Sequence, residues 1–441
     1  MKKKSYDQSL IYKLKLIVAY KDILRNHFPP VYNWYRIFFR KSQITAAQKL
    51  KGKDRINVAF YLTIPGMWKL DSVYETMSAN PKYNPYIVIF PYSTYKGFDK
   101  KEVDETLKRT EVFVKDKGYD YRIPFNSESG KWLDPKKIYK PDIVFFCTPY
   151  KDSLPQYYIY HYRDTLTCHV PYAFSSVKNY HTNYGLIFHN LVGFHFMETP
   201  LHREMAVKHS RNHGENAVVS GYPATEVFMQ QDYTPMDLWK PQPQRKKRVI
   251  WAPHHSIDKS LNISTFLETC DAMLAIAEKF TDSIQFVFKP HQLLKFKLQQ
   301  IWGVEKTDDY YRRWDSMPNT QLVSDGYMDL FLTSDAMIHD CGSFTTEYLF
   351  TKKPVMYLCR KDSNMEEKFN EFGVQSFGCH YHGQTAEDVE RFLKDVVLDG
   401  NDPMQEQRER FFDEHLKPKD GLLPSQKIIE ILEQTINGDR G

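Results

Sequence analysis

Several features that mark secreted, membrane-spanning or metal-dependent proteins are missing from this sequence. The six cysteines among 441 residues are scattered and form no Cys-x-x-Cys pair, so we expect free thiols in a reducing compartment. No run reaches the roughly 18 apolar residues that span a bilayer, and we expect neither a signal peptide nor a transmembrane helix. Asp-x-Asp, His-Glu-x-x-His and clustered Cys/His motifs are also lacking, so the sequence predicts no bound metal and no cofactor.

Acidic residues are scarce at the start of the chain. Residues 1–55 contain 14 lysines and arginines but only 3 acidic residues, whereas the remainder contains 46 basic and 52 acidic residues. Aromatic and basic side chains are interleaved in this basic arm: Tyr12, Tyr20, Phe28, Tyr32, Trp34, Tyr35, Phe38 and Phe39 lie among Lys13, Lys15, Arg25, Arg36, Arg40 and Lys41. Such a mixture suits the headgroup layer of an anionic membrane, where each basic residue gains about 1 kcal/mol.

Two alternatives to a membrane surface exist for the basic arm. Its aromatic side chains can instead pack on the protein body, with the charges merely solvated. A nucleic acid is the other polyanion that a basic segment can bind. No nucleic-acid-binding motif is present, however, and the rest of the chain is acidic, so we expect no nucleic-acid partner.

The rest of the sequence alternates buried strands with helices. The predicted strands are 56–63, 86–90, 142–146, 249–252, 284–289, 321–323, 336–339 and 355–359, and the predicted helices are 71–79, 101–117, 263–280, 328–333 and 344–351. Nearly continuous apolar strands separated by helices are typical of parallel, doubly wound sheets. The sequence therefore predicts an α/β fold of two Rossmann-like domains that face each other across a cleft, preceded by the basic, helical arm.

Proline-rich and polar composition marks the domain boundaries. Four prolines lie in the segment 223–247, which leads into the basic run 245–248 and which we interpret as the linker between the domains. The predicted organisation is then an arm at 1–55, a first Rossmann-like domain at 56–222, a second at 248–400, and helices at 401–441.

One strand-to-helix turn carries the strongest site signal. The segment 334–358, SDAMIHDCGSFTTEYLFTKKPVMYL, places small and hydroxyl-bearing residues between a buried strand and a helix. Backbone N–H groups at such a helix start can bind an anion. The candidate phosphate-binding residues are Asp340, Gly342, Ser343, Phe344 and Thr345, with Glu347 nearby. The alternative is that Ser343 only caps the helix and Gly342 only turns the chain.

Histidines follow two further strands of the second domain. The run FVFKPH ends in Lys289 and His291, and the run VIWAPHH ends in His254 and His255. The carboxyl edge of an open α/β sheet is where ligands bind, and an imidazole there can donate to a phosphate oxygen or exchange a proton. A histidine at a strand end is alternatively a purely structural hydrogen-bonding group.

These motifs, together with GYPATEVF at the linker, resemble the CDP-glycerol glycerophosphotransferase family, which builds teichoic acids and related glycerol- or ribitol-phosphate polymers. The resemblance extends over about 218–360 and implies a GT-B architecture, a CDP-linked donor bound by the 248–400 domain, an acceptor bound by the 56–222 domain, and basic surface at the membrane. It also implies that the turn at Asp340–Ser343 binds phosphate and that His291 is catalytic. Arg360 is a candidate for the family's late, pyrophosphate-binding arginine.

One family motif has no counterpart. The Trp-His-Gly-Thr-Pro motif that supplies a proposed catalytic base is replaced by VPYAF at 170–174. Candidate bases in the same region are His161, His169 and His181, of which we select His181.

The resemblance predicts a cell-envelope transferase. It would move a glycerol-phosphate or related polyol-phosphate unit from CDP-glycerol or another CDP-polyol to a hydroxyl of a cell-surface glycan or lipid-linked acceptor, in teichoic-acid or capsule polysaccharide synthesis. We expect a cytoplasmic protein that is peripheral on the inner face of the membrane. The alternatives are a GT-B glycosyltransferase that uses a nucleotide-sugar, and a catalytically inactive scaffold of surface-polymer assembly.

Overall fold

The computed structural model describes residues 29–92, 100–258, 262–323 and 326–439. The chain divides into two compact units. Unit 1 consists of the described residues of Met1–Ala173, Asn179–Ala224 and Asp420–Gly441, and unit 2 of those of Phe174–Lys178 and Thr225–Lys419. None of the helices in the described ranges is both long and apolar enough to cross a membrane.

A parallel sheet of seven strands forms the centre of unit 1. Its strands and a small antiparallel hairpin (β4 and β5) are β1 (Ile56–Leu62), β2 (Tyr83–Ile89), β3 (Tyr121–Arg122), β4 (Phe125–Asn126), β5 (Lys131–Trp132), β6 (Ile143–Phe146), β7 (Leu166–His169), β8 (Phe194–Met197) and β9 (Ala217–Val219). The order across the sheet is β3-β2-β1-β6-β7-β8-β9. The chain thus starts in the middle, runs to one edge, and returns to build the other half, as in Rossmann folds.

Helices cover this sheet, and an aromatic core lies beneath them. They are α1 (Pro29–Gln48), α2 (Asp71–Ser78), α3 (Lys100–Asp116), α4 (Pro135–Tyr139), α5 (Ile187–Leu191) and α6 (Pro200–His209). The largest buried groups include Tyr61 and Tyr162, whose hydroxyls are 2.8 Å apart. Pairing the two hydroxyls satisfies polar atoms that would otherwise be costly to bury among apolar side chains.

Helix α1 packs one face on unit 1 and exposes the other. Tyr32 and Phe39 are buried, and the buried amide of Gln43 donates to the Tyr162 carbonyl and accepts from the Thr167 N–H, both at 2.8 Å. On the opposite face Trp34 is 66% exposed, Ile37 46% and Phe38 41%. The arm residues Tyr12, Tyr20, Phe28, Lys13, Lys15 and Arg25 lie outside the described residues.

Unit 2 repeats the same topology with six parallel strands. They are β10 (Lys247–Ala252), β11 (Ile284–Phe288), β12 (Thr320–Leu322), β13 (Ala336–His339), β14 (Val355–Leu358) and β15 (Tyr381–Gly383), in the order β12-β11-β10-β13-β14-β15. Its helices are α7 (Phe266–Lys279), α8 (Leu294–Trp302), α9 (Val304–Ser316), α10 (Met328–Thr333), α11 (Phe344–Glu347), α12 (Glu371–Phe377), α13 (Ala386–Arg391) and α14 (Gln405–Phe411).

The last helix, α15 (Pro424–Asn437), belongs to unit 1 although it follows unit 2 in the chain. Within unit 1 the hydroxyl of Thr76 on α2 lies 3.2 Å from that of Ser425. Glu433 pairs with Lys82 and accepts from the Tyr83 hydroxyl at the start of β2. These contacts tie the C-terminal helix to the first βαβ unit.

The α/β prediction is confirmed, because both sheets are parallel and have the Rossmann order. Each predicted strand coincides with an observed one, with ends that differ by at most three residues. The predicted helix 344–351 is instead the short helix α11 followed by a 3-10 turn at Tyr348–Thr351. Among the described strands, five of the two parallel sheets (β3, β7, β8, β9 and β15) and both strands of the hairpin (β4 and β5) were not predicted.

Candidate functional site

The strand order of unit 2 changes direction between β10 and β13, which are paired neighbours. Helices on opposite sides of the sheet diverge at such a switch point and leave a crevice beyond the carboxyl ends of the strands. His254 and His255 come just after β10, and Asp340 comes directly after β13. The residues predicted from sequence therefore lie at the position where this topology binds ligands.

His254, His255 and His291 form one group, which we call the rim histidines. The ring centroids of His254 and His255 are 4.3 Å apart, those of His255 and His291 4.2 Å, and those of His254 and His291 5.0 Å. The backbone supports this arrangement, because the His291 N–H donates to the Pro253 carbonyl at 3.0 Å. All three side chains are half-buried.

Backbone amides select the tautomer of two rim histidines. The Leu293 N–H donates to Nδ1 of His291 at 3.1 Å, and the Ser256 N–H donates to Nδ1 of His254 at 3.2 Å. A neutral imidazole whose Nδ1 accepts carries its proton on Nε2. Both side chains can thus offer Nε2–H donors, which suit an anion, whereas a metal ion would need the Nε2 lone pair.

Burial keeps the rim histidines neutral. It lowers the pKa of His291 to about 3, with further lowering by His255 and Lys289, and that of His254 to about 2, with further lowering by His255. The pKa of His255 falls to about 4 through burial and then through Lys297. A bound anion favours the imidazolium and so raises these pKa values, which allows a rim histidine to become charged as negative charge builds up beside it.

Asp340 is fully buried and accepts hydrogen bonds from two separate segments around the site. Its carboxylate accepts from the His254 N–H at 2.5 Å, the Thr265 N–H at 2.6 Å and the Ser264 hydroxyl at 3.1 Å. Burial raises its pKa to about 6, against the lowering effect of these donors. The carboxylate of Asp340 therefore holds the residues after β10 against the residues before α7, and the phosphate contact expected from the resemblance stays a prediction.

The turn after Asp340 differs in detail from the prediction. Ser343 has helical backbone angles and makes no side-chain capping hydrogen bond, so the capping alternative does not hold. The hydroxyl of buried Thr345 donates to the Cys341 carbonyl at 2.9 Å and so supports the turn. Phe344 packs its ring against Phe331, with centroids 5.0 Å apart. The N–H groups of Thr346 and Glu347 donate to the Ser343 carbonyl at 3.0 and 3.1 Å. The half-buried Ser343 hydroxyl and the N–H groups of Phe344 and Thr345 are therefore the groups of this turn that suit an anion.

Three further predicted residues of the same region are buried: Gly342, Lys289 and Glu347. A side chain at Gly342 would meet Val177 at 3.1 Å, so the close packing there favours glycine. Lys289 and Glu347 are buried, and the Lys289 ammonium lies 6.0 Å from the Tyr327 ring. Burial first, and then the carboxylates of Asp340 and Glu347, raise the pKa of the Cys341 thiol, while Lys289 acts in the opposite direction.

Arg360 already has two carboxylate partners. It pairs at 2.8 Å with both Glu268 and Asp362, beside a cavity of about 610 Å³. Its charge is thus compensated within unit 2, which weakens its candidacy as a pyrophosphate ligand.

Unit 1 has its own cavity at the corresponding edge of its sheet. It encloses about 330 Å³ beyond the carboxyl ends of β1, β2 and β6, where the strand order of this sheet reverses. Its aromatic lining is Tyr61, Phe90, Phe146, Tyr150, Tyr157, Tyr158, Tyr160 and Phe188, and its polar lining includes Thr148, Lys151, Asp152, Ser153 and His181. An aromatic cavity with a few polar groups is typical of small-molecule sites.

The three candidate bases have different surroundings in unit 1. His161 pairs with Asp134 at 2.8 Å, and His169 is buried with its ring nitrogen on the Phe146 carbonyl. His181 is exposed and lines the cavity. Asp152, which sequence reasoning missed, also lines it. Burial raises the pKa of Asp152 to about 6, while the Thr148 hydroxyl donates to it at 3.3 Å. The tyrosine-rich run after β6 was the available signal for this cavity.

Solved structures of similar fold support the architecture. A Listeria monocytogenes protein assigned as a UDP-N-acetylglucosamine 2-epimerase matches with a TM-score of 0.54 and 16% identity, over 87% of this chain and 97% of that one. MnaA of S. aureus, in a structure with UDP, matches with a TM-score of 0.52 and 14% identity over 87% and 97% of the two chains. At these identities the similarity shows the fold alone, two Rossmann-type units of the GT-B kind.

A search among curated proteins finds no match for this sequence, whereas a family model does match it. The model of the CDP-glycerol:poly(glycerophosphate) glycerophosphotransferase family matches residues 196–434, which is more than half of the chain and includes the rim histidines and the turn after Asp340. The chain therefore belongs to the CDP-glycerol:poly(glycerophosphate) glycerophosphotransferase family and is by that membership a transferase.

Proposed function

We propose that the protein transfers a glycerol-phosphate or related polyol-phosphate unit from a CDP-linked donor to a hydroxyl of a cell-surface glycan or lipid-linked polymer. The observation that carries this proposal is the pair of Nε2–H donors on His254 and His291 at the switch point of the family-matched unit. Several donors that converge at a strand edge, next to a helix start, suit the pyrophosphate of a nucleotide-linked donor.

The reaction requires charge stabilisation and positioning of the reactants more than covalent catalysis. The acceptor oxygen attacks the phosphorus nearer the glycerol, the bond from that phosphorus to the bridging oxygen breaks, and CMP leaves with the electron pair. Negative charge grows on the leaving phosphate during this step. His291 donates to that phosphate, and Ser343 with the N–H groups of the first turn of α11 holds the pyrophosphate in position.

Unit 1 is proposed to bind the acceptor. Sugars and polyols present both hydroxyls and apolar C–H faces, and the cavity of unit 1 combines aromatic walls with Asp152 and His181. In this assignment His181 takes the proton of the attacking hydroxyl, and Asp152 accepts a hydrogen bond that orients the acceptor.

The outer face of α1 is proposed to contact the inner face of the cell membrane. The rings of Trp34 and Phe38 stack at 5.7 Å, and the Arg163 guanidinium lies 4.8 Å from the Phe38 ring. Exposed aromatic residues beside arginine suit the interfacial layer of an anionic leaflet. A cytoplasmic, peripheral location would bring the enzyme to lipid-linked acceptors.

A donor panel tests the proposed reaction. Purified protein is given CDP-glycerol, CDP-ribitol and a set of nucleotide-sugars with membrane-derived acceptor, and the released nucleotide is identified by chromatography. Release of CMP from a CDP-polyol supports the proposal. Release of a nucleoside diphosphate from a nucleotide-sugar would identify a GT-B glycosyltransferase instead, and no turnover with any donor would favour an inactive scaffold.

A further inference from the structure

Unit 1 contains a second group of three histidines, which the proposed reaction does not use. His169 ends β7, His195 lies on β8, and His189 lies on α5, which leads into β8. All three side chains are buried, and one ligand nitrogen from each lies within 4.8 Å of the others. We call this group the buried histidine cluster.

The sheet register explains why the buried histidine cluster forms. His169 and His195 are direct partners in the parallel pairing of β7 and β8, so their side chains emerge on the same face of the sheet. Helix α5 places His189 over that face, with its ring stacked on His195 at 4.8 Å and 5.9 Å from the ring of His169.

The tautomer of His169 is opposite to that of the rim histidines. Its Nδ1 lies 2.7 Å from the Phe146 carbonyl, which can only accept, so Nδ1 must donate. The lone pair of the neutral ring is then on Nε2. Metal-binding histidines show this arrangement, in which the other ring nitrogen donates to a backbone carbonyl and fixes the ring orientation.

His189 offers the cluster a ring nitrogen that is not used elsewhere. Nδ1 of His189 is buried and has no hydrogen-bond partner among the described residues. Such an unsatisfied polar atom calls for an explanation, and a bound ion is one of the standard ones.

We infer that His169, His189 and His195 bind a divalent transition metal ion of the zinc type. Three neutral imidazoles are a common ligand set for Zn²⁺, with Zn–N distances of about 2.0–2.1 Å, and they leave a fourth position for water or another ligand. Binding requires the three nitrogens to draw together to about 3.3 Å, which means that the stacked rings of His189 and His195 rotate toward a common point.

The proposed ion would support the cavity of unit 1. Phe188 precedes His189 and lines the cavity, and its ring stands edge-on to His169 at 5.1 Å. Fixing α5 against β7 and β8 therefore fixes part of the cavity wall. The ion has a structural role in this inference, which goes beyond the proposed transferase reaction and does not depend on it.

Metal content tests the inference directly. Full-length protein without a histidine tag is expressed with Zn²⁺ supplementation, purified without chelators, and analysed by inductively coupled plasma mass spectrometry. We expect about one equivalent of metal for the wild type, near-complete loss for His189→Gln, and no loss for the matched variant His255→Gln in unit 2. A wild-type protein with far less than one equivalent of metal would overturn the inference, and so would loss of the metal from His255→Gln alone.

Spectroscopy on the unaltered protein covers the case in which His189→Gln does not fold. Co²⁺ added to metal-free protein should give the visible d–d absorption of a four-coordinate site, and X-ray absorption of the zinc form should show imidazole scattering without sulfur. Absence of the Co²⁺ bands, or a spectrum dominated by thiolate, would contradict the assignment. Neither readout involves turnover, so both are independent of the donor experiment.

Discussion

The backbone N–H of His254 donates a 2.5 Å hydrogen bond to the buried carboxylate of Asp340 and so joins the ends of β10 and β13. The opposite end of the same strand pair has a matching bond, in which the Arg248 N–H donates to Asp335 at 2.8 Å. Two aspartates thus hold the two ends of the central strands of unit 2, but only Asp340 lies at the switch point.

Replacement of these two aspartates should separate stability from ligand binding. In Asp340→Asn an amide NH₂ replaces one accepting oxygen, so at least one buried donor loses its partner, at a cost of about 1–3 kcal/mol in unfolding free energy. Loss of the hydrogen bond to the His254 N–H should also loosen the segment after β10. The CDP dissociation constant should then rise roughly tenfold, which is a loss of about 1.4 kcal/mol in binding free energy. Asp335→Asn should lower stability but leave the CDP dissociation constant unchanged. Calorimetry measures the CDP dissociation constant, and urea unfolding measures the free energy of unfolding. Unaltered CDP affinity in Asp340→Asn would refute the positioning role.

His291 should contribute mainly to the transition state. His291→Ala removes an N–H donor from the developing charge and should lower turnover by about 10² to 10³. His291→Gln, which keeps an N–H donor, should recover part of the rate. Ser343→Ala should affect donor binding more modestly, because the backbone amides of the turn remain. Rates come from CMP release at saturating donor, and a folded His291→Ala with the wild-type rate would show that the site is misassigned.

The strands that carry the rim histidines were predictable, but most of the unit 1 site was not. β10 and β11 end in the apolar runs VIWA and FVF, so the residues after them stand out. β7 and β8 are four residues long and contain His169 and His195, which breaks the apolar pattern of a buried strand. The buried histidine cluster depends on the register between these strands and on α5, which no local pattern in the sequence encodes.

The role of Asp340 shows a different limit of sequence reasoning. Resemblance placed it in a phosphate-binding turn, and the turn is indeed at the switch point. Which atoms of the turn face a ligand depends on hydrogen bonds to Ser264 and Thr265, more than 70 positions away. Because those contacts are tertiary, the sequence alone did not reveal which protein groups the Asp340 carboxylate holds.

His181 should act in catalysis without binding the donor. We expect His181→Ala to lower kcat by about 10² to 10⁴, the usual contribution of a general base, while the dissociation constant for CDP stays unchanged. His161→Ala is the matched control, because His161 is occupied by Asp134 at 2.8 Å. A wild-type kcat in His181→Ala, or an equal loss in the control, would exclude His181 as the base.

Acceptor binding should depend on pH through Asp152. Burial raises the pKa of this carboxyl to about 6, so it is charged at pH 7.5 and becomes protonated as the pH falls through 6. The protonated group is a weaker acceptor for the hydroxyls of the substrate, and KM for the acceptor should rise roughly tenfold by pH 5. Asp152→Asn should have a raised KM without this pH dependence, whereas Asp164→Asn, at an exposed ion pair, should behave as the wild type. A KM that is independent of pH in the wild type would rule out the assignment.

Membrane binding should depend on the outer face of α1 rather than on the helix as a whole. Deletion of the first 50 residues would also remove Tyr32, Phe39 and Gln43, which pack into unit 1, and so would confuse detachment with unfolding. A triple serine variant of Trp34, Ile37 and Phe38 removes only exposed apolar surface. Because burying one such side chain is worth about 1.5–3 kcal/mol, this variant should bind anionic vesicles at least tenfold more weakly.

Added salt and a matched variant distinguish membrane binding by this surface from non-specific adsorption of exposed apolar residues. Binding of the wild type should weaken as salt is added, since screening at physiological ionic strength acts over about 8 Å. A double serine variant of Val112 and Ile138, which are exposed elsewhere on unit 1, should sediment with vesicles as the wild type does. If the α1 variant also sediments like the wild type, this face of the helix does not contact the membrane, and any attachment must come from another part of the chain.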